Sequence, residues 1–143
     1  MSTIRPANSA DLPRIAALLD AEALPTTDLA TSPIGFWIDE DHAGLVAAIG
    51  LEQHADTGLL RSLVVAPAHR GAGHARRLVE ALEAQARARG IRDLVLLTQT
   101  AAPFFARAGY TVITRDNAPR AVRDSAEFRA LCPASATCMH KAL

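Results

Sequence analysis

Residues 65–76, VAPAHRGAGHAR, could hold an anion: two glycines one residue apart, small neighbours, and the basic side chains Arg70, His74 and Arg76. Gly71, Ala72, Gly73 and Ala75 are small enough for the backbone to close around a phosphate. The free N–H groups of a helix opening there would point at it. A dinucleotide site wants G-x-G-x-x-G and then, about 20 residues on, an acid at a strand end. Gly71 and Gly73 match, but Arg76 stands where the third glycine belongs, and Asp93 precedes its apolar run instead of ending it. A nucleoside-triphosphate loop needs Gly-Lys-Ser/Thr, which does not follow. R-x-x-G-x-A at Arg70–Ala75, opening a helix after a β-branched strand, remains.

Other polar residues interrupt apolar surroundings. Arg61 breaks the run LLRSLVV with Ser62 beside it, either as a rim charge or as a partner for a substrate carboxylate. Thr98, Gln99 and Thr100 follow the run DLVLL at a carboxyl strand end, where ligands gather; Thr100 can equally cap the next helix. Thr26, in the Pro/Thr-rich loop 23–35, and Phe36-Trp37 are placed to complete a pocket wall. Cys132 and Cys138 are two soft thiols. Core packing explains them better than a metalloid site, since no third soft ligand is evident, and no metal is expected.

The elements that must position these residues read as β–α–β–β–β–α–β–α–β–β. STIRP is a short opening strand, and Asn8 caps a helix with Asp11 in its first turn and Leu12, Ile15, Leu18 and Leu19 inward. Residues 35–54 form a hairpin turning at Asp41–Gly44, with GLLRSLVV antiparallel to its second arm. A helix over 74–89 ends at Gly90, DLVLLT is a central strand, and a short helix over 101–108 closes at Gly109. YTVIT and SATCMHKAL supply the last strands. The fold class is α/β (α+β): a mixed, mostly antiparallel sheet of six to seven strands with helices on both faces.

Composition narrows the function. With 143 residues and no linker, the chain is read as a single domain over 1–143. Basic and acidic groups balance at 15 each, which promises no basic face for nucleic acid. No apolar run approaches the roughly 20 residues of a membrane span. The first residues lack a signal-peptide pattern, and two cysteines make no disulfide framework, so a cytoplasmic protein is expected.

LRSLVVAPAHRGAGHARRLV, then GIRDLVLLT, then APFFARAGY resembles, in order and over nearly the whole chain, the GNAT superfamily of N-acetyltransferases. The resemblance implies acetyl-CoA as cofactor. It places the pyrophosphate on Arg70, Gly71, Ala72, Gly73, His74, Ala75 and Arg76, and the pantetheine in a gap between splayed parallel strands beside Leu63, Val64, Val65 and Phe105. It also implies direct transfer, the Val65 N–H supporting the oxyanion. The family's usual acid is a Tyr where this chain has Phe105; Tyr110, the single phenol, is the other candidate, though that family position is normally a packed aromatic. For the base, Glu52 in GLEQH, near the end of its strand, is first choice and His54 second; His42 and His69 read as surface residues.

LPTTDL, LLRSLVVAP, LLTQTAAPFFARAGY and SAEFRALCPASATCM are similar to the small acetyltransferases of arsenic-resistance operons. LLTQTAAPFF also resembles the acetyltransferase domain of N-acetylglutamate synthases. Both imply a small amino-acid-like acceptor, bordered by Thr26, Phe36, Arg61, Ser62, Thr98 and Thr100. The family also carries an expectation of a homodimer. The competing reading is a non-catalytic acetyl-CoA-binding sensor, motivated by Phe105.

Overall fold

The computed structural model describes residues 2–143. In chain order the elements are β1 (Thr3–Pro6), α1 (Leu12–Ala21), β2 (Ile34–Asp41), β3 (Gly44–His54), β4 (Thr57–Val65), α2 (His74–Ala88), β5 (Asp93–Thr98), α3 (Ala102–Arg107), β6 (Thr111–Ile113), α4 (Arg120–Arg123) and β7 (Thr137–Ala142). The seven strands form one sheet in the order β1-β2-β3-β4-β5-β7-β6. Only β4 and β5 run parallel; every other neighbouring pair is antiparallel. No helix among the described residues is long and apolar enough to cross a membrane.

Local chemistry explains the ends of these elements. The Ala10 N–H donates to Asn8 Oδ1 at 2.9 Å and the Asn8 N–H to Asp11 Oδ2 at 2.9 Å, a reciprocal cap ahead of α1. Asp41 Oδ1 accepts the N–H groups of Ala43 and Gly44 and closes the β2–β3 turn.

The sheet is covered on both faces. On one side α1 packs Ile15 and Leu19 against Phe36, Ile38, Ala48 and Val64. Farther along that side, Ala118, Val122 and Phe128 cover Leu59 and Val95. On the other side α2 sets Leu78, Val79 and Leu82 against Trp37, Ile49, Leu60 and Leu96. The segment between β6 and β7 holds two elements that periodicity does not announce: α4 and a wide helical turn at Glu127–Leu131. Both are too short to show a helical period and form because Val122 and Phe128 are buried against the sheet.

Two irregularities make room in the middle. β4 pairs with β5 only from Thr57↔Asp93 to Leu59↔Val95, after which the parallel strands part. The β3–β4 register also slips: Ala48 opposes Val64 and Gly50 opposes Arg61, so Ser62 and Leu63 share the single partner Ile49. Ser62 takes a left-handed φ of 59°, the conformation of the first residue in a G1-type β-bulge. The bulge reverses side-chain alternation. Leu59 and Val64 face the α1–α4 side, whereas Leu60, Leu63 and Val65 pack toward α2.

Candidate active site

A cavity of about 620 Å³ occupies the gap between β4 and β5. Its wall includes the α2 entrance and Phe104, on the α2 side, and also Glu127 and Cys132, on the α4 side. A single cavity with walls on both faces must pass through the sheet where the parallel strands have separated.

At the α2 end, Gly71 and Gly73 adopt φ of 81° and 84°, conformations that an L side chain strains to reach. Arg77 N–H to Gly73 O, at 3.1 Å, is the bond that starts the helix. The amides just ahead of it have no helical acceptor, and the positive end of a 15-residue helix dipole lies behind them. His74 Nδ1 lies 2.7 Å from Asp39 Oδ2, a carboxylate with no solvent exposure, and 2.7 Å from Arg77 Nη2. Arg70 reaches the Glu22 carboxylate, and Arg76 pairs with Glu80 at 3.2 Å on the surface. Of the residues expected to hold a pyrophosphate or pantetheine, all but Ala72 line the cavity. His69, read as a surface residue, also lines it, edge-on to the His74 ring at 5.8 Å.

Along the gap, the Ala66 N–H donates to Val46 O at 2.8 Å, so Ala66 sits in a hydrogen-bonded pair with β3. Val65, one residue earlier and opposite Ala47, falls in a non-hydrogen-bonded pair. Its N–H therefore points away from β3, into the space that β5 has left. Phe105 is buried on the cavity wall, its ring edge-on to Tyr110 at 5.5 Å.

Beyond the gap, buried charges gather around Arg61. Arg61 Nη1 donates to Asp28 Oδ2 and to Glu52 Oε2, both at 2.6 Å, and Nη2 donates to Asp28 Oδ1 at 2.8 Å. Burial opposes the charge on the guanidinium, but these carboxylates outweigh it and hold Arg61 more firmly protonated than usual. Burial would also raise the Asp28 carboxyl; hydrogen bonds from Arg61 and from the Ser32 hydroxyl at 2.5 Å keep it below the ordinary range. Glu127 lies in the same cluster, 4% exposed, and Oε2 has no hydrogen-bond partner. Loss of solvent pushes its carboxyl up to about 7, against the pull of Arg61. Burial and the neighbouring Glu127 push the Cys132 thiol up to about 12.

Several sequence expectations change here. Arg61 is no free partner for a substrate carboxylate, because Asp28 and Glu52 already fill its fork. Glu52 is 2% exposed, with one oxygen on Arg61 and the other 3.0 Å from His54 Nε2, and it is absent from the cavity wall; this leaves it poorly placed as a direct base. Tyr110 also lies off that wall. Its hydroxyl donates to Glu83 at 2.8 Å, and burial with that bond raises the phenol further. It is a packed aromatic. Thr26 bonds Asp20 at 2.7 Å, and Phe36 is buried under α1; neither reaches the cavity. Ser62, Thr98 and Thr100 do line it, and Thr98, not Thr100, accepts the Ala101 N–H that opens α3, at 3.0 Å. Cys138 is buried in the core and Cys132 is half-buried on the cavity wall. Glu127 escaped sequence reading altogether: it sits in a five-residue turn without periodicity.

Known proteins resemble this chain in sequence and in fold. A family model described as an acetyltransferase (GNAT) domain matches residues 32–112. Mouse N-alpha-acetyltransferase 80 is 52% identical over 52 residues, 36% of this chain and 17% of that protein. N-acetylglutamate synthase from Neisseria gonorrhoeae, solved with coenzyme A and L-arginine, superposes with a TM-score of 0.82 at 27% identity, covering 99% of this chain and 33% of the synthase. A Mycobacterium tuberculosis protein solved in complex with CoA gives 0.82 and 27%, covering 99% of both chains. The chain thus spans only 17% of the curated relative and 33% of the synthase.

Proposed function

The chain belongs to the GNAT acetyltransferase family, and from that premise we propose that residues 1–143 form one catalytic unit moving an acetyl group from acetyl-CoA to the amine of a small, amino-acid-like acceptor. The observation that carries the reading is the cavity through the sheet, which links an anion-binding helix start to the buried carboxyl group of Glu127. A donor can lie on one face while an acceptor approaches from the other, so the reacting atoms meet in the gap without a covalent enzyme intermediate.

In this reading the free amides from Gly71 to Arg76, with His74 held by Asp39, bind the pyrophosphate. Leu63, Val64 and Val65 run beside the pantetheine, and Phe105 packs against it. The Val65 N–H, directed into the gap, stabilises the oxyanion as the amine adds. The thiolate leaves readily and takes its proton from the attacking nitrogen or from water, so no phenol is needed at Phe105. The similarity to a gonococcal N-acetylglutamate synthase supports an amino-acid-like acceptor. Amino-acid analogues bearing arsenic belong in the same screen, given the resemblance to acetyltransferases of arsenic-resistance operons.

The test is release of CoA thiol from acetyl-CoA with a panel of amino acids, including L-glutamate, L-glutamine and L-arginine. Turnover with at least one acceptor is expected. CoA binding without turnover on any amine would favour a sensor, the reading that the phenyl ring of Phe105 at the usual acid position supports.

A further inference from the structure

We infer that Glu127 is the group that receives the acceptor: its carboxylate, across the sheet from the donor's helix, pairs with the incoming ammonium and takes its proton before attack. The inference rests on the acetyltransferase reading above and names the residue that makes it work.

Three observations converge. Glu127 lies on the cavity wall at the α4 end, opposite the face that carries the α2 entrance. It is 4% exposed, and Oε2 has no partner, which is costly for a buried carboxylate unless a ligand supplies one. The surrounding charge also favours a cation. Arg61 is the positive group facing Glu127, and Asp28 and Glu52 already engage it. Three acids around one guanidinium leave that end of the cavity short of positive charge. Cys132 faces Glu127 from the following loop as a neutral thiol, Arg115 acts on that thiol, and His54 joins the cluster only through Glu52.

The proton balance is simple. The acceptor arrives as R–NH3+ and gives one proton to the Glu127 carboxylate, leaving R–NH2. The nitrogen lone pair attacks the thioester carbonyl, a C–N bond forms and the C–S bond breaks. The second proton leaves the nitrogen and ends on the CoA sulfur, and Glu127 returns its own to solvent. A carboxyl pushed up to about 7 is matched to such an exchange near neutrality.

The probe for the test is n-butylamine, an ammonium with no carboxylate, titrated calorimetrically into the CoA-bound protein. Wild type should bind it at least about tenfold more tightly than E127Q at neutral pH, with equal CoA affinity in both showing that the variant folds. Equal butylammonium affinity, or none in wild type, overturns the inference. In wild type alone, affinity should rise as pH passes upward through about 7, and H54N should keep that rise. A flat profile, or a rise lost in H54N, overturns it too. For an acceptor that turns over, E127Q should lower kcat/KM for the amine about 10²-fold, leave the KM for acetyl-CoA in place and remove the acid limb of the pH profile; an unchanged kcat/KM with that limb intact refutes the role. Butylammonium binding that depends on Glu127, without CoA release from any amine, supports the ammonium site and sinks the transfer reading instead.

Discussion

Replacing Arg61 with methionine separates two roles that predict opposite outcomes. A substrate-binding arginine would leave stability alone and raise the KM of the acceptor. In the structure the Arg61 side chain is fully buried and gives two hydrogen bonds to Asp28, at 2.6 and 2.8 Å, and one to Glu52 at 2.6 Å. R61M therefore strands two buried carboxylates, and breaking a buried ion pair from one side costs about 3–5 kcal/mol. At about 3–4 °C per kcal/mol for a domain of this size, Tm should fall by roughly 10–20 °C. Urea unfolding followed by the fluorescence of Trp37, the single tryptophan and a core residue, gives the free energy directly. D28N should be destabilising on its own, and R61M/D28N should cost less than the two single changes together, by at least about 1 kcal/mol. The acid dependence follows from the depressed Asp28 carboxyl. Its contribution is complete above its unfolded value of about 4 and is lost as pH falls through the lower folded value, a slope that D28N should remove. A loss under about 1 kcal/mol in R61M, the scale of a surface pair, together with a raised acceptor KM, would refute the buried-anchor reasoning and return Arg61 to carboxylate binding.

Other changes test the remaining assignments. Y110F should leave kcat within twofold while costing about 1–2 kcal/mol, because it removes a buried hydroxyl bonded to Glu83; a large fall in kcat with normal stability would make Tyr110 catalytic after all. G73A forces a side chain into φ 84° at the N-terminus of α2 and should cost about 1–2 kcal/mol and weaken CoA binding, with the acceptor KM unchanged once donor is saturating. E127Q should change how stability depends on pH. Folded Glu127 keeps its proton up to about 7, whereas the unfolded chain releases it near 4.5, so wild type loses stability as pH rises across that window, by about 3 kcal/mol. Parallel denaturation series should show that decline in wild type relative to E127Q; parallel curves would place Glu127 in an ordinary solvated state.

What the sequence revealed of this fold follows the range of its interactions. The Asn8–Asp11 cap, the Asp41 turn, the alternating strands and the Gly71–Gly73 corner are all decided within a few residues, and each lies where its pattern puts it. The parallel pair and its gap came from family resemblance, because a parting of strands leaves no local mark. The segment after β6 was silent for a related reason: α4 has four residues and the turn at Glu127 five, and tertiary burial of Val122 and Phe128 holds them, not propensity. The charge cluster around Arg61 is illegible in the sequence because it joins residues far apart in the chain. Asp28 is 33 positions from Arg61, so a saturated arginine and a free one look identical in LLRSLVV.

The bulge at Ser62 ties these failures together. Had β4 kept its alternation past Arg61, Leu63 and Val65 would face the side of α1 and Val64 the side of α2. By doubling Ser62 and Leu63 against Ile49, the strand turns Leu63 and Val65 to the face of α2 while Arg61 stays on the other with Asp28. The same slip sets the hydrogen-bonding phase in which the Val65 N–H looks into the gap, away from β3. One residue at φ 59° thus assigns Val65 and the acid cluster to opposite faces of the sheet. Because a left-handed φ suits glycine and strains serine, S62G should keep or raise stability while preserving both faces. A change that straightens the strand past Arg61 should turn Val65 away from the α2 face and weaken CoA binding measured by calorimetry, while the Arg61–Asp28 pair and the stability it gives persist; unchanged CoA affinity would refute the role of the bulge.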